Sequence, residues 1–275
     1  MAATEKPPIF VIGPTTRCGT SLLQRLLNST GKAVIYGENF ALLQTFPDII
    51  RNYQREADAK RKVIAMARDL LVKEKEDFEA SSLFPDFDNY LRALIGSFRL
   101  LMRSYRDDAA ALGFERWGIK HQIRNQTSFA LLPRLLPDAR YVMIYRDLLP
   151  VARSAKARWP GDFRGPQDWR RFARNWADNI RTMQRLSGDA FLLFKYETFT
   201  ADPEPHLQRL ERFVEIEGID RAVMARRIND QPRFAPDGTA ITDYRPPQEV
   251  SAEETSLMMG ECEPFYRELG YGVAG

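Results

Sequence analysis

The chain has 275 residues, 44% hydrophobic and 28% charged, a balance that buries a core in one large α/β domain, read here as a single unit over 1–275. Its 40 Lys plus Arg against 37 Asp plus Glu leave a net charge of +3, too small to argue for a nucleic-acid partner. Two cysteines, Cys18 and Cys262, and two histidines, His121 and His206, give no disulfide framework, zinc pattern or histidine-rich metal site, so a reducing compartment and no metal are expected.

Met1 to Pro8 is polar, and the first apolar run, Ile9 to Ile12, ends at Gly13. That run is too short for a secretory core or a membrane span, and no later stretch approaches spanning length; a soluble, cytoplasmic protein without a transmembrane segment is the expectation. Short runs rich in Ile, Val, Phe and Tyr predict strands at Ile9–Gly13, Ala33–Tyr36, Trp117–Lys120, Tyr141–Tyr145 and Phe191–Phe194. Between them lie amphipathic stretches. Thr20–Asn28 places Leu22, Leu23, Leu26 and Leu27 on one face. Residues 40–112 are charged and mostly helical, a helical insertion or lid that interrupts the sheet, with the charge run Arg51–Glu79 as a solvated face. Gln167–Arg185 carries Trp169, Phe172, Trp176, Ile180 and Met183 at helical spacing, and Asp202-Pro203 opens a helix to Val214. Strands alternating with helices predict an α/β fold, a parallel sheet flanked by helices.

The first strand runs into Pro14-Thr15-Thr16-Arg17-Cys18-Gly19-Thr20-Ser21, a small-residue loop and then a helix. Such a turn aims backbone N–H groups and a helix dipole at one point, which suits a phosphate or sulfate. A nucleoside-triphosphate loop would carry a lysine where Thr20 stands, and its glycines would be one residue closer than Gly13 and Gly19. Arg17 is the cation at the loop mouth instead. Further on, Tyr141–Tyr145 leads into Arg146-Asp147, and Ser154 follows eight residues after Arg146. An arginine fork and a hydroxyl are good phosphate ligands, and Arg158 lies one helical turn beyond Ser154 on the same face.

Arg17-Cys18-Gly19-Thr20-Ser21 resembles the 5′-phosphosulfate loop of the sulfotransferase family, [KR]-S-G-T-[ST], with Cys18 in place of serine. Arg146 with Ser154 resembles its 3′-phosphate motif, and Tyr196-Glu197 with Asp202-Pro203 resembles a third family segment. The resemblance covers Pro8 to about Val214, and Phe265 to Tyr271 looks like the family's final helix and turn. It implies a P-loop NTPase-like fold and transfer of a sulfuryl group from 3′-phosphoadenosine 5′-phosphosulfate (PAPS), leaving adenosine 3′,5′-bisphosphate (PAP). The acceptor would be a small molecule, glycan, lipid or peptide. Arg17, Cys18, Gly19, Thr20 and Ser21 would hold the 5′ end of the donor; Arg146, Ser154 and Arg158 would hold the 3′-phosphate. Tyr196 would lie beside the adenine, and a loop over Ile228–Arg245 would cover the nucleotide, with Tyr244 and Arg245 as candidate contacts.

For the base, Gly37-Glu38 resembles the glycine–glutamate pair of the tyrosylprotein branch, whose glutamate takes the proton. His121 is the rival, because members acting on small phenols use a histidine two positions past a lysine. Here Lys120 and His121 are adjacent, and on a strand adjacent side chains face opposite sides. Glu38 is therefore preferred as base, Lys120 and Arg17 as electrostatic stabilisers and His121 as second choice. Two readings on the same fold compete: a small-molecule kinase, and a catalytically silent nucleotide-binding protein.

Overall fold

The computed structural model describes residues 6–73, 86–226, 233–234, 240–241 and 245–272. Its centre is a five-stranded parallel sheet in the order β2-β3-β1-β4-β5, formed by β1 (Ile9–Gly13), β2 (Ala33–Tyr36), β3 (Arg116–Gln122), β4 (Arg140–Tyr145) and β5 (Phe191–Lys195). This is the P-loop-like α/β architecture expected. The predicted strands hold, and β3 runs two residues beyond its apolar stretch. Pairing with β1 extends it: Ile12 lies opposite His121 and Gly13 opposite Gln122.

Every residue of β1 is buried, because helices cover both faces of the sheet. Side chains alternate along the strand. Ile9 and Val11 pack with Leu23 and Leu26 of α1 (Thr20–Asn28) and Leu207 and Leu210 of α8 (Pro203–Val214). Phe10 and Ile12 join a second cluster with Phe98 and Met102 of α3 (Phe87–Ala111) and Phe129 and Leu132 of α4 (Gln126–Leu135). A third cluster joins α5 (Leu148–Arg158), α6 (Pro166–Arg185) and α9 (Ala252–Glu268) through Trp169, Trp176, Phe265 and Tyr266.

The stretch between β2 and β3 begins with a π-helical turn at Ala41–Thr45 and continues as α2 (Phe46–Val72) and α3. A short α7 (Tyr196–Ala201) follows β5, and two-residue strands β6 (Arg233–Phe234) and β7 (Ala240–Ile241) pair antiparallel near the C-terminal end. Asp202 does occupy the N-cap of α8, but its side chain makes no capping hydrogen bond. Among the described residues no helix is long and apolar enough to cross a membrane.

Strand order reverses beside β1: the chain reaches β2 and β3 on one side, then crosses to β4 on the other. In open parallel sheets the crevice at such a switch, beyond the carboxyl ends of the strands, is where ligands bind. Gly13, Glu38, Gln122, Arg146 and Tyr196 all stand at or just past those ends.

Candidate functional site

The loop after β1 winds back on itself. Arg17 and Gly19 have positive φ, 66° and 105°, a conformation that turns successive N–H groups inward. Gly19 is required for a second reason: a Cβ there would lie 2.6 Å from Cδ2 of Tyr196. Gly19 is also the N-cap of α1, which has no side-chain cap and no acid in its first turn. The first N–H groups of that helix, and the positive end of its dipole, are left for an anion.

Around this N-terminus the structure gathers most of the residues predicted for the donor. Arg17, Gly19, Thr20, Ser21, Arg146, Ser154 and Tyr196 line one pocket of about 90 Å³, a volume on the scale of a phosphate group. Arg17 Nε donates to Ser154 Oγ at 2.7 Å, joining the two motifs directly. The Arg146 guanidinium stacks 4.4 Å from the centre of the Tyr196 ring. Gly19 packs against the Tyr196 ring and Arg146 stacks on it. Cys18 is fully buried, and burial pushes its thiol up to about 11. Its sulfur lies 3.2 Å from Thr15 Oγ1, so this position offers backbone rather than side-chain chemistry. Arg158 stands in the last turn of α5, near Trp159, and outside the lining of that pocket. Tyr244 lies outside the described residues. Arg245 opens a described segment that runs beside α5, where Gln248 N donates to Arg153 O and Lys156 Nζ reaches Glu249 O.

Several residues with no role assigned from sequence hold this pocket. Trp176 Nε1 donates to Arg146 O at 3.0 Å. Asp147 N donates to Glu197 Oε1, while the Asp147 carboxylate caps α5 through Leu149 N and accepts from Tyr266 OH at 2.8 Å. Tyr271 OH donates to Glu197 Oε2, and burial followed by this bond pushes its phenol well above the usual range, so it stays a donor. The strand end carrying Arg146 is thus bolted to three helices. Asn179, 3% exposed, sends its Nδ2 to Pro14 O at 2.7 Å and Ile123 O at 2.9 Å. It ties the start of the loop after β1 to the end of β3. Its signal in the sequence is one amide within the apolar stripe Trp169–Met183.

On the other side of the loop lies Glu38. Its carboxylate meets Lys120 Nζ at 3.1 Å and accepts from Gln122 Nε2 at 3.1 Å. Lys120 and Gln122, two apart on β3, share a face, and Gln122 was not foreseen. His121 points the other way, 3% exposed, against the Phe40 ring. Burial, with Arg124 nearby, pushes its imidazole down to about 4. Glu38 faces a cleft of about 920 Å³ beside Thr15 and Thr16, and His121 does not line it. The far wall comes from Trp159, Phe163, Arg164 and Phe172. No described residue of 40–112 lines this cleft; α2 packs on α3 and α4 instead. Among the described residues no group of three or more His, Cys, Asp or Glu is placed to hold a metal ion.

Comparison with known proteins gives one match by family. The model described as "Sulfotransferase family" matches residues 7–220, from the start of β1 past the end of α8. No curated protein sequence matches. Among solved structures, the sulfotransferase domain of the Synechococcus PCC 7002 olefin synthase is similar over 100% of this chain and 99% of its own, at 14% identity and a TM-score of 0.48. A Mycobacterium avium sulfotransferase aligns over 100% of this chain and 79% of its own, at 15% identity and a TM-score of 0.49. One from Alicyclobacillus acidocaldarius aligns over 97% of each chain, at 14% identity and a TM-score of 0.46.

Proposed function

Because the chain belongs to the sulfotransferase family, we propose that it transfers the sulfuryl group of PAPS to a hydroxyl or amine acceptor, with Glu38 as the base. The observation that carries this reading is the convergence of Arg17, Arg146 and Ser154 around the uncapped N-terminus of α1, with Glu38 facing the adjoining cleft.

In the proposed step the acceptor oxygen (or nitrogen) forms a bond to sulfur while the bond from sulfur to the bridging phosphate oxygen breaks. PAP leaves with that oxygen, and the acceptor proton passes to the Glu38 carboxylate. Such in-line transfer needs positioning and stabilisation of charge on the leaving oxygens. The N–H groups of the loop and α1, with Arg17, supply the second. Lys120 is held on Glu38 before the donor arrives; the sulfuryl oxygens would compete for its ammonium and release the carboxylate toward the acceptor. Arg146 and Ser154 take the 3′-phosphate, with Tyr196 backing the Arg146 plane. Arg158 and the 245–250 segment remain candidates for the outer part of the nucleotide. The acceptor class extends to small molecules, glycans, lipids and peptides. A cytoplasmic setting is part of the proposal, in keeping with two free, separately buried cysteines.

A kinase on this fold would place a lysine where Thr20 opens α1. The test is a thermal-shift series with PAP, AMP and ATP with magnesium. At about 100 times its dissociation constant PAP should add roughly 2.7 kcal/mol, a rise of about 5–10 °C for a chain of this size. AMP should give much less. Arg146→Ala should remove the difference between PAP and AMP and leave the apo protein folded. Stabilisation by ATP with magnesium equal to that by PAP would overturn the reading. PAP binding with no turnover on any acceptor in fractionated extract would favour the silent nucleotide-binding protein.

A further inference from the structure

The cleft beside Glu38 has a charge pattern that speaks to its occupant. Three carboxylates line it, and two are already engaged: Glu38 by Lys120 and Gln122, and Asp168 by Arg171 at 2.6 Å and by the N–H groups of Arg164 and Gly165. The backbone N–H of Arg164 is the first cause holding Asp168 below the usual carboxylate range. Asp162 remains. Against it stand two guanidiniums, Arg124 and Arg164, neither within ion-pair distance of a carboxylate among the described residues. The Arg124 guanidinium lies 3.7 Å over the Phe40 ring. Stacking occupies its flat face and leaves its in-plane N–H fork for an oxyanion, the geometry that favours a bidentate carboxylate. Arg164 packs over Gly161, with Nη2 3.5 Å from where a Cβ would stand. The rest of the far wall is aromatic: Trp159, Phe163 and Phe172.

Two uncommitted cations against one uncommitted carboxylate leave a single positive charge. Resting on the sulfotransferase reading, we infer that the acceptor is an amphiphile with one negative charge: a carboxylate held by Arg124 and Arg164, an aromatic or apolar body on Trp159, Phe163 and Phe172, and its hydroxyl at Glu38. Both guanidiniums are solvent-exposed, so a neutral sugar or an uncharged alcohol incurs no penalty for them but gains no charge-assisted contact, and the anion is the better ligand.

Calorimetric titration of the full chain with N-benzoyl-L-tyrosine and its neutral twin N-benzoyl-L-tyrosinamide, with and without PAP, tests this. Both carry a phenol and a second ring, and they differ only in a carboxylate against a carboxamide of nearly the same size. The carboxylate should bind at least tenfold more tightly, and Arg124→Gln should reduce that preference to less than threefold. Arg164→Gln should reduce it in part, and Arg124→Lys, which keeps the charge without the fork, should fall between. Stabilisation by PAP serves as the folding check for each variant. Equal binding of the pair, binding of neither, or a preference that survives in both glutamine variants would overturn the inference. Failure of the sulfotransferase reading looks different: PAP would not bind the wild type, whereas the charge preference is read without PAP.

Discussion

Glu38 sits 3.1 Å from both Lys120 Nζ and Gln122 Nε2, so its chemistry depends on two neighbours from one strand. Glu38→Gln keeps the size of the side chain and removes its capacity to take a proton. Turnover should fall by about two to four orders of magnitude, the usual cost of a lost general base. PAP affinity should not fall, since Lys120 loses a competitor for the donor. Full turnover in Glu38→Gln with none in His121→Gln would transfer the role to the histidine. His121 itself has a consequence for stability. Its imidazole is held near 4 in the fold, mainly by burial, against about 6.5 in an unfolded chain. Between those values the unfolded chain binds the proton and the native chain does not. The stability due to neutral His121 is therefore complete above pH 6.5, drains as pH falls toward about 4 and changes no further below. At 1.36 kcal/mol per pH unit the window is worth about 3 kcal/mol. Urea midpoints of wild type and His121→Gln should converge as pH drops from 7.5 to 4.5; parallel curves would show that burial does not depress this group. Adjacent positions on a strand face opposite ways, so the separation of Lys120 from His121 was legible in the sequence. The partnership of Glu38 with Gln122 was not, because it joins two strand ends that only the sheet order brings together.

At the level of elements, boundaries were legible where a helix carries its own signals and hidden where a neighbour sets them. Thr20–Asn28 and Pro203–Val214 end where their apolar stripes end. β3 continues through His121 and Gln122 because β1 pairs with it, not because those residues favour strands. Asn179 is the extreme case: an amide in an apolar stripe is visible, but which carbonyls it serves is known only once the loop lies against β3. Asn179→Ala would leave both buried carbonyls without a donor, at about 1–3 kcal/mol each. The melting temperature should drop by several degrees. If the amide positions the loop rather than merely filling the core, PAP affinity should also fall about tenfold. Tyr266→Phe supplies the comparison. It costs Asp147 one hydrogen bond of roughly 1 kcal/mol but leaves the Leu149 cap and the Glu197 contact in place. Calorimetry with PAP on both variants separates the two roles: equal affinities in Asn179→Ala and wild type would make Asn179 a packing residue only.

Across the whole molecule the two pockets share the loop after β1 and helix α5. The small pocket proposed for the donor draws on that loop, the start of α1, the end of β4, α5 and Tyr196; the cleft proposed for the acceptor adds the ends of β2 and β3 and α6 with the turn before it. That Arg17, Arg146 and Ser154 share one pocket was legible because they sit in compact motifs a few residues past strand ends. The make-up of the larger cleft was not. Glu38 and its opposing wall at 159–172 are more than a hundred residues apart in the chain, and nothing in either segment names the other. The sequence drew attention instead to the long helices of 40–112 as a lid. Only part of their apolar surface packs on α4, β3 and each other, with Ile50, Phe98 and Met102 in the cluster beneath the sheet; Ile49, Val63, Met66, Leu71, Leu100 and Leu101 stay exposed. Acceptor choice should follow the wall that lines the cleft. Replacing residues 159–165 with the corresponding turn of a family member of different acceptor range should change which acceptors are sulfated, while PAP still stabilises the chimera by the wild-type increment, since none of those residues lines the donor pocket. Replacing α2 and α3 together, with their shared core positions kept apolar, should leave the acceptor range intact. Mass spectrometry of an acceptor panel, scoring addition of SO3, reads both exchanges. If acceptor range moves with α2 and α3 and stays fixed on exchange of 159–165, the cleft beside Glu38 is not where the acceptor binds.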